Sequence, residues 1–237
     1  GLMSATAAVE ACSDPTLRAR GHSALAALLF NAGQSQAALL HADLGVWRDG
    51  LTSDTLAPAL HALANVRWRV HRNALAVQPL LDEAQGLAQQ LGNVELHAHL
   101  LALRAHVAHG HPRDEAAAER GHAEALALWL QVGDQHAIRM GQYNLAVCAE
   151  NRRQPALARE RIDPLIAAAR DLQDWHLLSR SLNVRGNALA DMRAWPQALT
   201  DYQDCVQVAW RWTGPFDLAY GLWNMPRTLA HLRRPHD

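Results

Sequence analysis

The chain has 237 residues and a formal net charge of −1 at pH 7, so it lacks the basic surplus of nucleic-acid-binding or anionic-membrane-binding proteins. All 22 Lys-or-Arg positions are Arg, which excludes P-loop, Schiff-base and Ser-Lys chemistry because each requires a lysine. The 45 Ala and 37 Leu residues, against 15 Ile and Val, favour helices over strands. The composition therefore predicts an all-α protein with neither a nucleic acid nor a membrane as its partner.

The cysteines and the first residues bear on where the protein works. Cys12, Cys148 and Cys205 are widely separated, and such a sparse, odd set is typical of reduced thiols in a cytoplasmic protein. The sequence begins Gly1-Leu2-Met3 and shows no secretory signal pattern. We therefore expect a cytoplasmic chain that is a piece of a longer protein.

Caps and prolines predict twelve helices in chain order, forming one repeat domain over residues 1–237. A partial helix over 2–12 comes first, and five helical hairpins follow within 14–213. Their first helices are predicted at 15–31, 54–70, 94–109, 135–151 and 175–192, and their second helices at 35–48, 74–91, 113–131, 155–172 and 196–212. The last helix, 215–232, is expected to keep an unpaired apolar face that carries Leu218, Leu222 and Leu229.

A repeat of about forty residues supports these hairpins. Turn-like strings recur at Leu91-Gly92-Asn93, Val132-Gly133-Asp134, Leu172-Gln173-Asp174 and Trp212-Thr213-Gly214. Small residues recur in the first helices at Ala26, Ala64, Ala105, Ala146 and Gly186, and twelve positions later at Ala38, Ala76, Ala117, Ala158 and Ala198. Paired antiparallel helices approach closely only where the contacting side chains are small. The pattern therefore predicts a stack of antiparallel helical hairpins.

One stretch carries a family resemblance. The segment from Leu182 to Ala190, followed by Trp195-Pro196-Gln197-Ala198-Leu199 and Tyr202, resembles a tetratricopeptide (TPR) repeat, and Gly33 matches the family's turn glycine. The other units lack that Tyr and that Gly, and all are longer than the usual TPR unit. Long repeats of this kind are similar to the C-terminal arrays of MalT-like regulators and signal-transduction ATPases. The resemblance implies a right-handed superhelix of stacked antiparallel helical hairpins.

The same resemblance implies a concave groove lined mainly by first helices. Carrying the family's groove positions onto this sequence gives a set rich in Asn, His, Arg and aromatic residues, which suit peptide backbones and carboxylates. The alternative is that these are ordinary solvated helix faces. The expected ligand or peptide groove comprises His61, Asn65, Trp68, Arg69, His99, His106, His109, Tyr143, Arg180, Asn183 and Asn187. Among the eight tryptophans, Trp68 and Trp223 are the ones expected to meet a ligand.

Histidines crowd one part of the chain, at His97, His99, His106, His109, His111 and His122. His99 and His106 are seven residues apart, hence about 10.5 Å along a helix axis. No third ligand at metal spacing accompanies the His106 and His109 pair, so we expect no metal and no cofactor. A pH-sensing role remains open at this stage.

The sequence predicts a non-catalytic protein, since no carboxylate pair or nucleophile-base set emerges from the spacing. The preferred interpretation is a protein- or peptide-binding TPR-like domain of a larger bacterial-type signalling or transcriptional regulator. Its partner would be a protein or peptide segment, which another part of the parent chain could supply. The alternatives are a small-molecule inducer sensor that uses the same groove, and a spacer or oligomerisation module.

Overall fold

The protein is described from a computed structural model, which describes residues 1–47, 49–110 and 113–233, apart from the side chains of residues 215 and 216. Every regular element in these ranges is helical. The α-helices are α1 (Leu2–Glu10), α2 (Pro15–Asn31), α3 (Ser35–Gly45), α4 (Ser53–His71), α5 (Ala74–Gln90), α6 (Val94–Gly110), α7 (Glu115–Val132), α8 (Gln135–Asn151), α9 (Pro155–Asp171), α10 (Trp175–Asp191), α11 (Trp195–Val208) and α12 (Pro215–Leu232). A π-helical turn, Ala209–Thr213, follows α11.

The chain divides into two compact units, unit 1 over residues 1–132 and unit 2 from residue 133 onward. Unit 1 contains the hairpins α2–α3, α4–α5 and α6–α7, and unit 2 contains α8–α9 and α10–α11 with α12 packed on the second hairpin. The prediction of an all-α stack of helical hairpins is confirmed. The single domain over 1–237 stays a prediction.

The predicted helix boundaries agree with the observed ones to within two residues, with two larger differences. Helix α3 ends at Gly45 rather than at 48, and the last turn of the hairpin predicted to end at 212 is the π-helical segment. A π-turn places one more residue in each hydrogen-bonded ring than an α-turn does. The caps, prolines and repeat spacing that predict the helices do not distinguish a π-turn from an α-turn.

The recurring turn strings mark places where one helix ends and the next begins. Gly92 and Gln173 adopt positive φ angles of 62° and 54°, and the next residue's N–H donates to the carbonyl five residues earlier, as from Asp174 to Ala169 (2.9 Å). This is the left-handed stop that glycine favours. The following Asn93 or Asp174 then caps the next helix by accepting a backbone N–H.

The core of unit 1 is built from aliphatic side chains around Trp68. This ring is only 2% exposed and packs with Leu81, Leu100 and Leu103, which are also buried. Burying each such side chain stabilises the fold by about 1.5–3 kcal/mol. A Cβ on Gly110 would lie 2.2 Å from the Trp68 ring, so the glycine makes room for the indole.

Unit 2 repeats this arrangement with a tyrosine. Tyr202 on α11 is 2% exposed, and a Cβ on Gly186 of α10 would lie 2.6 Å from its ring. Gly186 is therefore the small residue that lets α10 and α11 approach closely, as the TPR resemblance implies. Leu182 on α10 and Ile162 on α9 are fully buried in two hydrophobic clusters of the same unit.

The predicted twelve-residue spacing between the two small residues of a hairpin is wrong in the second and third hairpins. Ala76 is exposed and Ala117 is half-buried, whereas the next residues, Val77 and Ala118, are buried at the helix contact. The reason is that α5 and α7 begin ten residues after Ala64 and Ala105, whereas the second helices of the other hairpins begin nine residues after their small residue. The spacing there is thirteen rather than twelve.

Helix α12 buries a polar edge and exposes an apolar one. Asp217 and Thr228 are buried against the rest of unit 2, while Leu222 is 49% exposed; Leu218 and Leu229 are half-buried. The predicted apolar face is thus open at Leu222, and its lack of a partner stays a prediction. Within the described ranges, no helix combines the length and apolarity needed to cross a membrane.

Candidate functional site

The sequence-predicted groove residues fall into both units. His61, Asn65, Trp68 and Arg69 lie on α4, and His99, His106 and His109 lie on α6, all in unit 1. Tyr143 lies on α8, and Arg180, Asn183 and Asn187 lie on α10, all in unit 2. Each set is considered within its own unit.

The expectation that Trp68 meets a ligand is not met in unit 1. Its indole belongs to the hydrophobic core, and the Arg72 guanidinium lies over the ring, 5.5 Å from its centroid. Trp68 lies on the side of α4 that packs against α5 and α6, and Gly110 leaves space there for its large ring. Trp223, the other candidate, is 85% exposed on α12.

The remaining unit 1 residues pack largely on one another. The His61 and His99 rings lie 5.9 Å apart, and His99 also contacts the buried Trp129. Arg69 places its guanidinium 3.9 Å from the centre of the Phe30 ring. These side chains therefore bridge neighbouring helices, while Asn65 is half-buried beside them.

The histidine cluster spreads over several helix contacts. His106 packs edge-on against His122 at 4.7 Å between ring centroids, and His109 Nδ1 lies 2.8 Å from Glu115 Oε2. His111 lies outside the described residues. Across the part of the chain that the structure describes, no three His, Cys, Asp or Glu side chains group as metal ligands would.

In unit 2 the predicted residues converge with side chains of α12. Arg180 Nε donates to Asp217 Oδ1 at 3.0 Å, and His176 Nδ1 lies 2.8 Å from the other oxygen of that carboxylate. Burial alone would raise the pKa of Asp217, but Arg180 and His176 hold it below its ordinary value. Asn183 accepts a 3.1 Å bond from the Asn224 side chain.

A second unit 2 network centres on Asn187. Its amide nitrogen donates to Glu150 Oε1 at 2.8 Å, and its carbonyl oxygen accepts from the Tyr202 hydroxyl, also at 2.8 Å. Burial raises the pKa of Glu150 to about 7, partly offset by the bond from Asn187. The three side chains fix one another, so the Glu150 carboxyl is held in one orientation.

This network lines a polar pocket of about 140 Å³ within unit 2. Helices α8, α10, α11 and α12 all contribute to its wall. Arg153 donates to both carboxylate oxygens of Asp191, at 3.3 and 3.0 Å. The polar side chains that line it are those of Glu150, Arg153, Asn187, Asp191, Tyr202, Asn224, Arg227 and Thr228.

Sequence reasoning identified Arg180 and Asn183 but missed their partners on α12. Asn224 stands 41 positions after Asn183, and Asp217 stands 41 positions after His176. The forty-residue repeat was therefore the available signal, because it carries the groove positions of α10 onto α12. That helix was assigned an apolar face and Trp223 as a ligand contact, and no polar residue of its other edge was named.

No protein-family model matches the sequence, and no curated protein matches it either. Among solved structures, the chain is similar to a Signal Transduction ATPase with Numerous Domains (STAND) protein with a tetratricopeptide repeat sensor from Pyrococcus horikoshii. The TM-score is 0.69 and the identity 8%, over 90% of this chain and 32% of that one. This chain thus spans about a third of the STAND protein.

Two further structures are similar to this chain. A Rap protein complexed with Competence and Sporulation Factor gives a TM-score of 0.65 at 15% identity, covering 94% of this chain and 67% of that one. BtubC from P. vanneervenii gives 0.58 at 15% identity, covering 89% and 94%. At these identities the likeness concerns the fold, and the predicted TPR-like helical-repeat fold is confirmed.

Proposed function

We propose that the chain is a non-catalytic binding module of a larger, cytoplasmic signalling protein, and that it binds a peptide or protein segment. The binding surface is the face of unit 2 where α8, α10 and α12 meet. The observation that carries this proposal is the polar pocket held by the Glu150–Asn187–Tyr202 network.

Peptide binding suits the groups on this face. Asn224 carries both a donor and an acceptor, which is what an extended peptide backbone requires of a side chain. Arg227 is exposed at the pocket wall, where it can meet a carboxylate. One protein of similar fold is complexed with Competence and Sporulation Factor and another has a TPR sensor, which supports a binding rather than a catalytic role.

The experiment is a selection of random peptides on the full chain, followed by affinity measurement by fluorescence anisotropy. We expect Asn224→Ala and Arg227→Ala to weaken the selected peptides at least tenfold, about 1.4 kcal/mol. Arg211→Ala is the matched control, because Arg211 is exposed in the same unit but does not line the pocket. Circular dichroism checks that all variants keep the same helicity.

A small-molecule inducer is the second candidate, favoured by the pocket's size of about 140 Å³. If no peptide is selected, a thermal-shift screen of metabolites on the native chain and the Arg227→Ala variant decides between the remaining functions. Stabilisation lost in the variant would support the inducer function. The absence of any hit would leave the spacer or oligomerisation function.

A further inference from the structure

The charged side chains of the unit 2 pocket differ in whether they form an ion pair. Arg153 is committed to Asp191 through two hydrogen bonds. Glu150 accepts one bond, from the neutral amide of Asn187. Among the residues that the structure describes, no basic side chain forms an ion pair with Glu150. Glu150 is therefore the carboxyl group of this pocket without an ion pair, and the charge of Arg153 acts on it only as a minor influence on its pKa.

Burial makes this arrangement costly for the protein alone. A buried carboxylate without a cation is destabilised by the loss of water, and an ion pair with a hydrogen-bonded cation offsets that loss. Asn187 is held by Tyr202, so the Glu150 carboxyl keeps its position before any ligand arrives. A preorganised acceptor of this kind lowers the cost of binding.

We infer that Glu150 receives a cationic nitrogen of the ligand, either a guanidinium or a primary ammonium, in the pocket between α8, α10 and α12. The inference rests on the proposed function in one respect, since a peptide supplies the cation there through an Arg or Lys side chain or its N-terminus. Arg227 on the opposite helix then meets carbonyl or carboxylate groups of the same ligand.

Small probes test the site directly by two-dimensional NMR. N-acetyl-argininamide supplies a guanidinium, glycinamide supplies an ammonium, and N-acetyl-citrullinamide is the neutral match of the first. We expect at least one of the two cations to shift the side-chain amide signals of Asn187 and Asn224 saturably. The citrulline compound should bind at least tenfold more weakly.

Glu150→Gln removes the charge while keeping an oxygen that can accept the Asn187 bond. This variant should lose cation binding at least tenfold. Glu160→Gln should keep it, because Glu160 is exposed in the same unit and does not line this pocket. Equal binding of the citrulline compound, or unchanged cation binding in Glu150→Gln, would overturn the inference.

The peptide selection separates this inference from the proposed function. Selected peptides that bind equally well to Glu150→Gln would overturn the cation inference and leave the peptide function standing. Probe binding that requires Glu150, without any selected peptide, would overturn the peptide function and make this a small-cation site. Blocking the N-terminus of a selected peptide shows whether the cation that Glu150 binds is the terminal ammonium or an Arg or Lys side chain.

Discussion

Units 1 and 2 are built from the same helical hairpins, but they bury different polar groups. Unit 1 places histidines at its helix contacts, as where His22 Nδ1 and His41 Nδ1 lie 2.9 Å apart. One nitrogen must donate and the other accept, so the contact requires that at most one of the rings carries a proton on both nitrogens. The interior of unit 1 is therefore compatible with neutral imidazoles.

Unit 2 buries carboxyl groups instead. Asp201 and Asp217 are each 3% exposed and are paired with Arg185 and Arg180, while Glu150 has only a neutral donor. The comparison shows that one repeat pattern accommodates two kinds of interior polarity. The two units differ in protonation. Burial disfavours the protonated form of the histidines inside unit 1, whereas it favours the protonated form of Glu150 in unit 2.

The largest expected effect is an opposite response of the two units to mild acid. Burial lowers the pKa of His61 to about 4 and that of His122 to about 3. The unfolded chain then binds more protons than the folded one between about pH 6.5 and 4, so unit 1 loses stability as the pH falls through that window. At pH 5 the loss is about 2 kcal/mol for each of these histidines.

Glu150 acts in the other direction. Its pKa of about 7 lies above the ordinary value of 4.5 because the carboxyl is buried, so the folded chain binds the extra proton between these values. Unit 2 therefore gains stability as the pH falls from about 7 to 4.5. Hydrogen exchange at pH 7 and 5, corrected for intrinsic rates, should show faster opening in α4–α7 and slower opening in α8–α11.

Two variants make this contrast decisive. His122→Leu removes one titrating group from unit 1 and should reduce its acid loss, and Glu150→Gln should abolish the gain of unit 2. If both units respond to acid with the same sign, the contrast between their interiors is wrong.

The second prediction concerns the buried ion pair of unit 2. Arg185 donates to both oxygens of Asp201, at 2.7 and 2.6 Å, and Asp201→Asn leaves that guanidinium without its main partner. Because Arg185 is partly exposed and also contacts Asp163, we expect a loss of about 2–3 kcal/mol rather than the 3–5 of a fully buried pair. Urea unfolding measures it.

Asp163→Asn is the matched control for Asp201→Asn. Asp163 keeps 41% of its side chain exposed, so its removal should cost under about 1 kcal/mol. Equal losses for the two variants would show that burial does not decide the strength of this network.

The third prediction tests the close approach of α10 and α11. Gly186→Ala places a methyl group against the Tyr202 ring, and we expect a loss of about 1–3 kcal/mol in thermal or urea unfolding. Gly86→Ala on α5 is the control from unit 1. A Cβ there meets nothing within 4 Å, so alanine should stabilise the helix by up to about 1 kcal/mol. Similar effects at both positions would contradict the packing argument.

Local signals made most of the fold predictable. A cap such as Asp174 and a turn glycine such as Gly92 act within a few residues, so they mark helix ends without any tertiary information. The TPR resemblance likewise found Gly186 and Tyr202. The second helix α5 begins one residue later relative to its small residue than α3, α9 and α11 do, and a fixed spacing cannot detect such a shift.

The site was less predictable because exposure depends on tertiary packing. Trp68 and Asn187 occupy neighbouring groove positions in the family pattern, yet Trp68 is in the core and Asn187 lines a pocket. The space that Gly110 provides for the indole decides this, and it lies 42 positions away in the sequence. The role of Glu150 in the pocket depends on the hydrogen bond that it accepts from Asn187, which only the tertiary structure reveals.

The smallest expected effect concerns the turns, where the units differ again. Unit 1 ends helices on Gly33, Arg72 and Gly92 in the left-handed region, whereas unit 2 has Arg153, Gln173 and Arg193 there and the glycine Gly133 at a helix end. A side chain there costs about 1 kcal/mol, and glycine's greater freedom in the unfolded chain offsets part of the relief. Gln173→Gly should therefore stabilise the protein by about 0.5 kcal/mol in urea unfolding, and Gly92→Ala should destabilise it by about 1 kcal/mol. If Gln173→Gly instead destabilises the chain, the Gln173 side chain contributes more than the strain of its backbone costs, and the turns of unit 2 are adapted to their residues rather than strained by them.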